Sequence, residues 1–490
     1  MFPTPRPTTA TLPSAQFPPA ARSAPGVSVT DPRWDPELNN VVHRVGFYAV
    51  LGLIFLRYSL LHEVLASVTG TDTYILYIFA IPAAVALVSS GGVRRTLAAR
   101  PAKYWLAFVV WLFVSVPFST WKGDSTTYLL SYLRTDLPML FYLAGLALTW
   151  KECRLMLATI GIAGIVNVGV GLLIHRDIGG GRMGLDFGVV SNPNDYAGHL
   201  IQIVPLILFL AIFPPRFMPL RWLIRLAGIA AIVAALWLIL TTGSRGALIA
   251  LVVGSVYVLW KSSMKVRILA IFGLPLLAVL LLTNVSNPVR HRLASITSGD
   301  SSESEGDEAA DSSKTRRFLL EESIRASFEH PLFGLGPGQF ANVLGKTGGW
   351  HSTHNSFTQI SSETGIPGFV FYLGAVISTF LLLQRTWKQV RERPELREIA
   401  VACYCLSMSY LMFCTAIFFL NFAYFFYLPA ATGLVISISR AAQRELAALK
   451  VQKQSTPRPS RPIPTPTLQP APSAPMLSPR PRAVRFNRLR

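Results

Sequence analysis

Apolar residues along this 490-residue chain come in long unbroken blocks, not in narrow stripes. Blocks of about 18–25 apolar residues are long enough to cross a bilayer core as helices, whereas a 3.6-residue periodicity marks helices with one face in water. The blocks lie near 45–66, 73–90, 104–120, 126–149, 155–174, 195–213, 222–240, 246–260, 268–285, 365–383, 399–420 and 422–438. They predict an all-α polytopic membrane protein with about twelve transmembrane helices. The expected order is a disordered N-terminal tail over 1–44, helices one to nine over 45–285, one large outer loop over 286–364, helices ten to twelve over 365–438, and a basic Pro-rich tail over 439–490.

Charge supplies an orientation, because Lys and Arg beside a span are retained in the cytoplasm. With the N-terminus cytoplasmic, 32 of the 45 Lys and Arg fall on inner segments and 11 on outer ones, Arg57 and Arg134 lying within spans. Both termini are therefore expected in the cytoplasm. The bias also explains much of the net charge of +20. With no recognition motif and no aromatics interleaving a basic surface, nucleic acid is excluded as a partner. Anionic membrane lipids are the expected contact of the basic C-terminal tail. Residues 1–40 and 451–490 are too rich in Pro and polar residues to bury a core, and the first 40 lack the apolar run of a cleaved signal peptide. Cys153, Cys403, Cys405 and Cys414 lack zinc-ligand spacing and are assigned no chemistry.

The large outer loop is the place to look for function. Its acidic, Ser-rich part, 297–314, reads as a solvated flexible insert, not a metal site, because nothing fixes its carboxylates in a coordination geometry. Next, Phe318, Leu319, Ile324 and Phe328 predict an amphipathic helix on the outer surface, ended by the "HPLFGLGPG" run. The loop closes on "GWHSTHNSFTQISSETGIPG", which sets His351 and His354 just ahead of a span, with Asn355, Glu363, Gly365 and Gly368 following. Two shorter outer stretches each carry an arginine, Arg182 in "IGGGRMG" and Arg245 in "TTGSRGAL". Taken singly, either arginine reads equally as a side chain snorkelling from a span end. On one face with His354, they point to a phosphate-bearing lipid, since guanidinium groups hold phosphate oxygens with two prongs.

The pattern His354-Asn355-x9-Gly365-x2-Gly368, preceded by "HPLFGLGPGQF" and "TTGSRGALIAL", resembles the O-antigen ligase and Wzy-type polymerase superfamily, which includes the O-oligosaccharyltransferases. The resemblance implies a GT-C-like glycosyltransferase of the bacterial inner membrane, its site on the periplasmic face, with neither metal nor cofactor. It implies transfer of a glycan from undecaprenyl diphosphate to an acceptor hydroxyl. His354 matches the essential histidine of that family, Arg245 its Ser-Arg-Gly arginine, Arg182 an arginine after the fifth span, and Arg316 or Arg317 a further one. His351 is a second candidate base or phosphate donor. Asn355 would orient the histidine or the backbone, and Glu363 would cap the next helix or help position the base. Asp195 reads as a helix cap.

The ligase form, with lipid A-core as acceptor, is the first expectation. A polymerase using a second lipid-linked repeat unit, in O-antigen or exopolysaccharide assembly, is the alternative, and a protein acceptor is a third form. A polysaccharide transporter or flippase is the rival of a different class, favoured by twelve spans with buried arginines. It is opposed by the absence of two related halves.

Overall fold

A computed structural model describes residues 31–215, 219–290, 293, 306–345 and 352–455, with the side chains of 306–313 and 453–455 left out of the description. Most of both predicted tails, residues 297–305 of the acidic insert and His351 lie outside the described residues. Within them the chain is helical, apart from a small antiparallel hairpin that pairs Arg176–Asp177 with Met183–Gly184.

Eight helices among the described residues are long and apolar enough to cross a membrane: Val41–Ser59, Arg100–Phe118, Trp150–Ile174, Pro193–Ile212, Arg221–Thr241, Met264–Leu282, Ser356–Val390 and Pro394–Ala416. Of the other four apolar blocks, three give shorter or interrupted helices, and 422–438 falls in the 29-residue helix Tyr427–Ser455. The block 126–149 becomes Lys122–Thr135 and Pro138–Leu146. Pro138 stands at the start of the second helix, where its missing N–H costs nothing, and Asp136 at the break accepts from the Thr135 hydroxyl and the Phe426 N–H. The block 45–66 breaks at Leu60, in the left-handed region at φ 58°, into Val41–Ser59 and Leu61–Thr69. Ile75–Ser89 and Arg245–Lys261 have 15 and 17 residues, about 22 and 26 Å at 1.5 Å per residue.

The ends of the chain also differ from the expected tails. Residues of the expected N-terminal tail from Asp31 onward include a short 3-10 turn over Pro36–Asn39. Tyr427–Ser455 continues as one helix through the start of the predicted basic tail. The chain forms one compact unit as far as Ala448, and residues 449–455 beyond it are helical. The acidic insert is helical from Gly306, in one piece with the helix that ends at Glu329. Its side-chain alternation differs from the predicted apolar face: Leu319 is buried with Leu335 and Phe340, while Phe318, Ile324 and Phe328 remain exposed. The packed face is Leu319, Ser323 and Ser327, small enough to lie close against Ser356–Val390, where the Ser327 and Ser361 hydroxyls meet at 2.8 Å.

Pro193–Ile212 is the central helix, 83% buried over its apolar window and packed by Trp150–Ile174, Arg221–Thr241 and Arg397–Ala416. Met264–Leu282 is only 6% buried, as expected of a helix whose apolar sides meet lipid. Ion pairs tie one end of the bundle, Arg444 to Asp35 at 2.6 Å and Arg154 to Glu398 at 2.5 Å. The polar loops bearing the arginines and histidine of interest gather at the other.

Candidate active site

The helix Ser356–Val390 is broken, and its break organises the site. Gly365 has φ 72° and ψ −178°, a conformation open essentially to glycine alone, and Pro367 has no N–H to offer the carbonyl four residues back. That carbonyl, of Glu363, instead accepts from the Gly336 N–H at 2.9 Å. Ser362 accepts from the Leu335 N–H at 2.8 Å, Thr364 accepts from the Trp111 indole at 2.8 Å, and the Ile366 N–H donates to Pro331 at 2.8 Å. The "HPLFGLGPG" run is thus stitched onto the kink, and Phe333 stacks between Phe118 and Trp111. The buried Glu363 carboxylate accepts from the Gly338 N–H at 2.9 Å, so it holds this loop.

His354 stands just ahead of this helix, half-buried, with its backbone at φ 51°. Only two other non-glycine residues among those described have positive φ, so this is strain worth a functional reading. Its neighbours hold it there. The Asn355 side chain accepts from the Phe357 and Thr358 N–H groups at 2.9 and 3.2 Å, a helix cap that orients backbone. The Thr353 hydroxyl reaches the Asn355 carbonyl at 3.0 Å.

Around His354 runs a segment that the apolar pattern did not reveal, residues 417–426 between the last two long helices. Ser356 grips it from one side, its N–H on the Ile417 carbonyl, its hydroxyl donating to Leu420 and accepting from the Phe422 N–H. On another side Gly246, next to Arg245, packs so closely on Phe419 that an added Cβ would sit 2.8 Å from its ring. The sequence reads "IFFLNFAYFF" here and merges with its flanking spans; only Asn421 hints at a loop.

Arg245 opens the helix Arg245–Lys261, capped by Ser244 after a tight turn at Gly243. Arg182 reaches that same turn: its Nε donates to the Thr242 carbonyl at 2.8 Å and its Nη2 to Asn194 Oδ1 at 3.1 Å. Asn194 adjoins Asp195, whose carboxyl feels the charge of Arg316. Asp195 is not the cap of its helix, since Asn192 accepts the Asn194 N–H at 2.8 Å and fills that place. Of the pair left open by sequence, Arg316 is the half-buried one. The Arg317 side chain is 83% exposed and bonded to Glu321 on its own helix. Arg182, Arg245, Arg316 and His354 thus belong to elements joined at one end of the bundle. Among the described residues, no group of three or more His, Cys, Asp or Glu side chains is arranged to hold a metal ion.

Residues 230–373 match the family described as O-antigen ligase. This segment is O-antigen ligase-like. It contains Arg245, Arg316, Arg317, His351, His354, Asn355 and Glu363, together with the kink at Gly365, and leaves Arg182 and the 417–426 segment outside. A search of curated proteins finds no match. The eight apolar helices among the described residues point to a multi-pass membrane protein, within which residues 230–373 are similar to the O-antigen ligase family.

Proposed function

We propose that the protein is a metal-independent, inverting glycosyltransferase that moves a glycan from undecaprenyl diphosphate to an acceptor hydroxyl. O-antigen ligation onto lipid A-core is the favoured form. The observation that carries this reading is the meeting of Arg182, Arg245 and Arg316 with the strained His354 at one end of the bundle, three of the four inside the O-antigen ligase-like segment. In this reading both termini are cytoplasmic and the site opens on the periplasmic face of the inner membrane.

The chemistry follows from the groups. Arg245 is a cation at a helix N-terminus, where the helix dipole repels it; a bound diphosphate would relieve that repulsion and draw on the N–H groups as well. His354 takes the proton from the acceptor hydroxyl as its oxygen attacks the anomeric carbon. The bond to the diphosphate oxygen breaks as the new one forms on the opposite face, so the configuration inverts. The charge gathering on the departing diphosphate is met by Arg245 and Arg316, which are already in place and need no reorganisation. Arg182 secures the turn beneath Arg245 and lends its charge.

The test is transfer of a labelled glycan by purified protein in detergent with EDTA, with lipid A-core in one reaction and a second lipid-linked repeat in the other. Arg245→Ala and His354→Gly are compared with wild type. Glycine tolerates φ 51°, so His354→Gly should keep its thermal midpoint while transfer falls about 10²–10⁴-fold, the usual range for losing a general base. Transfer within tenfold of wild type refutes His354 as the base. Transfer abolished by EDTA and restored by a divalent ion refutes metal independence. The productive acceptor separates ligase from polymerase.

A further inference from the structure

A cavity of about 500 Å³, separate from the residues discussed above, has a lining that includes Arg57, His62, Glu63, Asp72, Tyr74, Tyr77 and Arg134. Its polar groups are of both signs. Arg57 is already engaged, 3.6 Å from Asp136 and with its guanidinium 4.8 Å over the Phe426 ring. Arg134 is exposed and makes no ion pair among the described residues. A bare phosphate entering here would face Asp72 and Glu63 as well as the arginines, which argues against an anion as the occupant. A lipid tail would leave carboxylates, imidazole and guanidinium without partners.

Sugar hydroxyls both donate and accept, and suit carboxylate, imidazole and guanidinium groups set side by side. The tyrosines add what a pyranose face requires. Tyr74 is 64% exposed and held at φ 50°, and its ring lies 6.0 Å from that of Tyr77, so the two offer adjoining apolar surfaces with hydroxyl ends. The cavity also shares elements with the cluster. Glu63 Oε2 accepts the Val189 N–H at 3.0 Å, in the stretch that runs into Asn194 and Asp195, and Phe426 over Arg57 ends the segment gripped by Ser356.

We infer that this cavity is a saccharide subsite that holds the sugar of the acceptor beside the transfer centre, with Asp72, Arg134, His62 and Glu63 bonding hydroxyls and Tyr74 and Tyr77 packing on the ring. The inference rests on the glycosyltransferase reading for the word acceptor, and on the cavity alone for sugar binding. The experiment is saturation-transfer NMR on the full-length protein in detergent, with two lipid-free probes, the core oligosaccharide of lipid A-core and the oligosaccharide of the donor repeat. In parallel, transfer kinetics are measured for Asp72→Ala, Arg134→Ala and Tyr74→Ala, with thermal midpoints as the check on folding.

Sugar-proton signals from one probe in wild type, reduced at least about fivefold in the variants, support the subsite, as does an acceptor KM raised about tenfold with kcat little changed. Signals unchanged in all three folded variants overturn it, as does displacement of the sugar by inorganic pyrophosphate. Wild-type transfer with unaltered acceptor KM in the variants overturns the subsite and leaves the transferase standing. Variant-sensitive sugar binding without any transfer supports the subsite and removes the transferase reading.

Discussion

Replacing Gly365 by alanine tests whether the kink holds the site together by close backbone contact. An added Cβ would lie 2.1 Å from the Leu332 carbonyl oxygen and 2.7 Å from that of Pro331, both backbone atoms with little freedom to retreat. The backbone at φ 72° and ψ −178°, a region open essentially to glycine alone, costs an alanine about 1–3 kcal/mol. Moving the 331–336 run away would also strain three backbone hydrogen bonds, at Ile366, Leu335 and Gly336, each worth about 1 kcal/mol. The expected total is therefore about 4–6 kcal/mol. Gly91→Ala is the control: its φ is also positive, at 67° in the ordinary left-handed region, but nothing lies within 4 Å of its added Cβ, so only a conformational cost of about 1–2 kcal/mol remains. Thermal unfolding in detergent should show Gly365→Ala shifted at least about twice as far as Gly91→Ala. Equal shifts would mean that the run gives way freely at the kink, and the account of how it is stitched there would be wrong.

Arg316→Ala should lower glycan transfer by about 10²-fold, as for loss of one charge-stabilising group, whereas Arg317→Ala, whose side chain is 83% exposed, should remain within about twofold; comparable losses in the two would refute the assignment. Glu63, in the short helix beyond the first span, has its carboxyl pushed up to about 7 by burial, with the Val189 N–H and Arg57 pulling it down and His62 3.7 Å away. Between the ordinary value of 4.5 and that raised one, the folded chain binds more protons than the unfolded chain. Stability therefore falls as pH rises across that window and levels off above it. Glu63→Gln should lack this component, so its thermal midpoint should gain on wild type with rising pH; parallel pH profiles would refute the buried, proton-binding carboxyl.

Much of the bundle was legible because a span announces itself by composition. What was lost were interruptions inside apolar text. Leu60 and the Asp136–Pro138 break sit within blocks that read as continuous, and only Pro138 carries a local signal. Segment 417–426 is hidden for the same reason: its aromatics resemble membrane residues, yet they pack against Gly198 and Gly246 within the protein. Candidates for the site were legible where residue type limits the role, as with His354 and Arg245. The choice between Arg316 and Arg317 was not, because adjacent residues on a helix point about 100° apart and only packing says which turns inward. Glu363 could be read as a helix cap or as a residue that positions the base, and what the sequence could not show is that its carboxylate accepts from the Gly338 N–H.

The strain at His354 links these parts. A left-handed non-glycine residue persists only where its surroundings over-determine it. Here they do: Asn355 is fixed as a helix cap, Thr353 is bonded across it, and Ser356 is clamped to segment 417–426 by three hydrogen bonds. The same segment lies against Gly246, beside Arg245, so His354 and Arg245, the base and the phosphate-binding arginine of the proposed mechanism, are referenced to one piece of backbone. Direct displacement gains most from such common anchoring, because proton removal and leaving-group stabilisation occur in one step and an error in either distance is carried into the barrier. On this reasoning the least conspicuous stretch of the outer loops, one that the apolar pattern folds into its neighbours, sets the alignment of the two groups that the chemistry needs together.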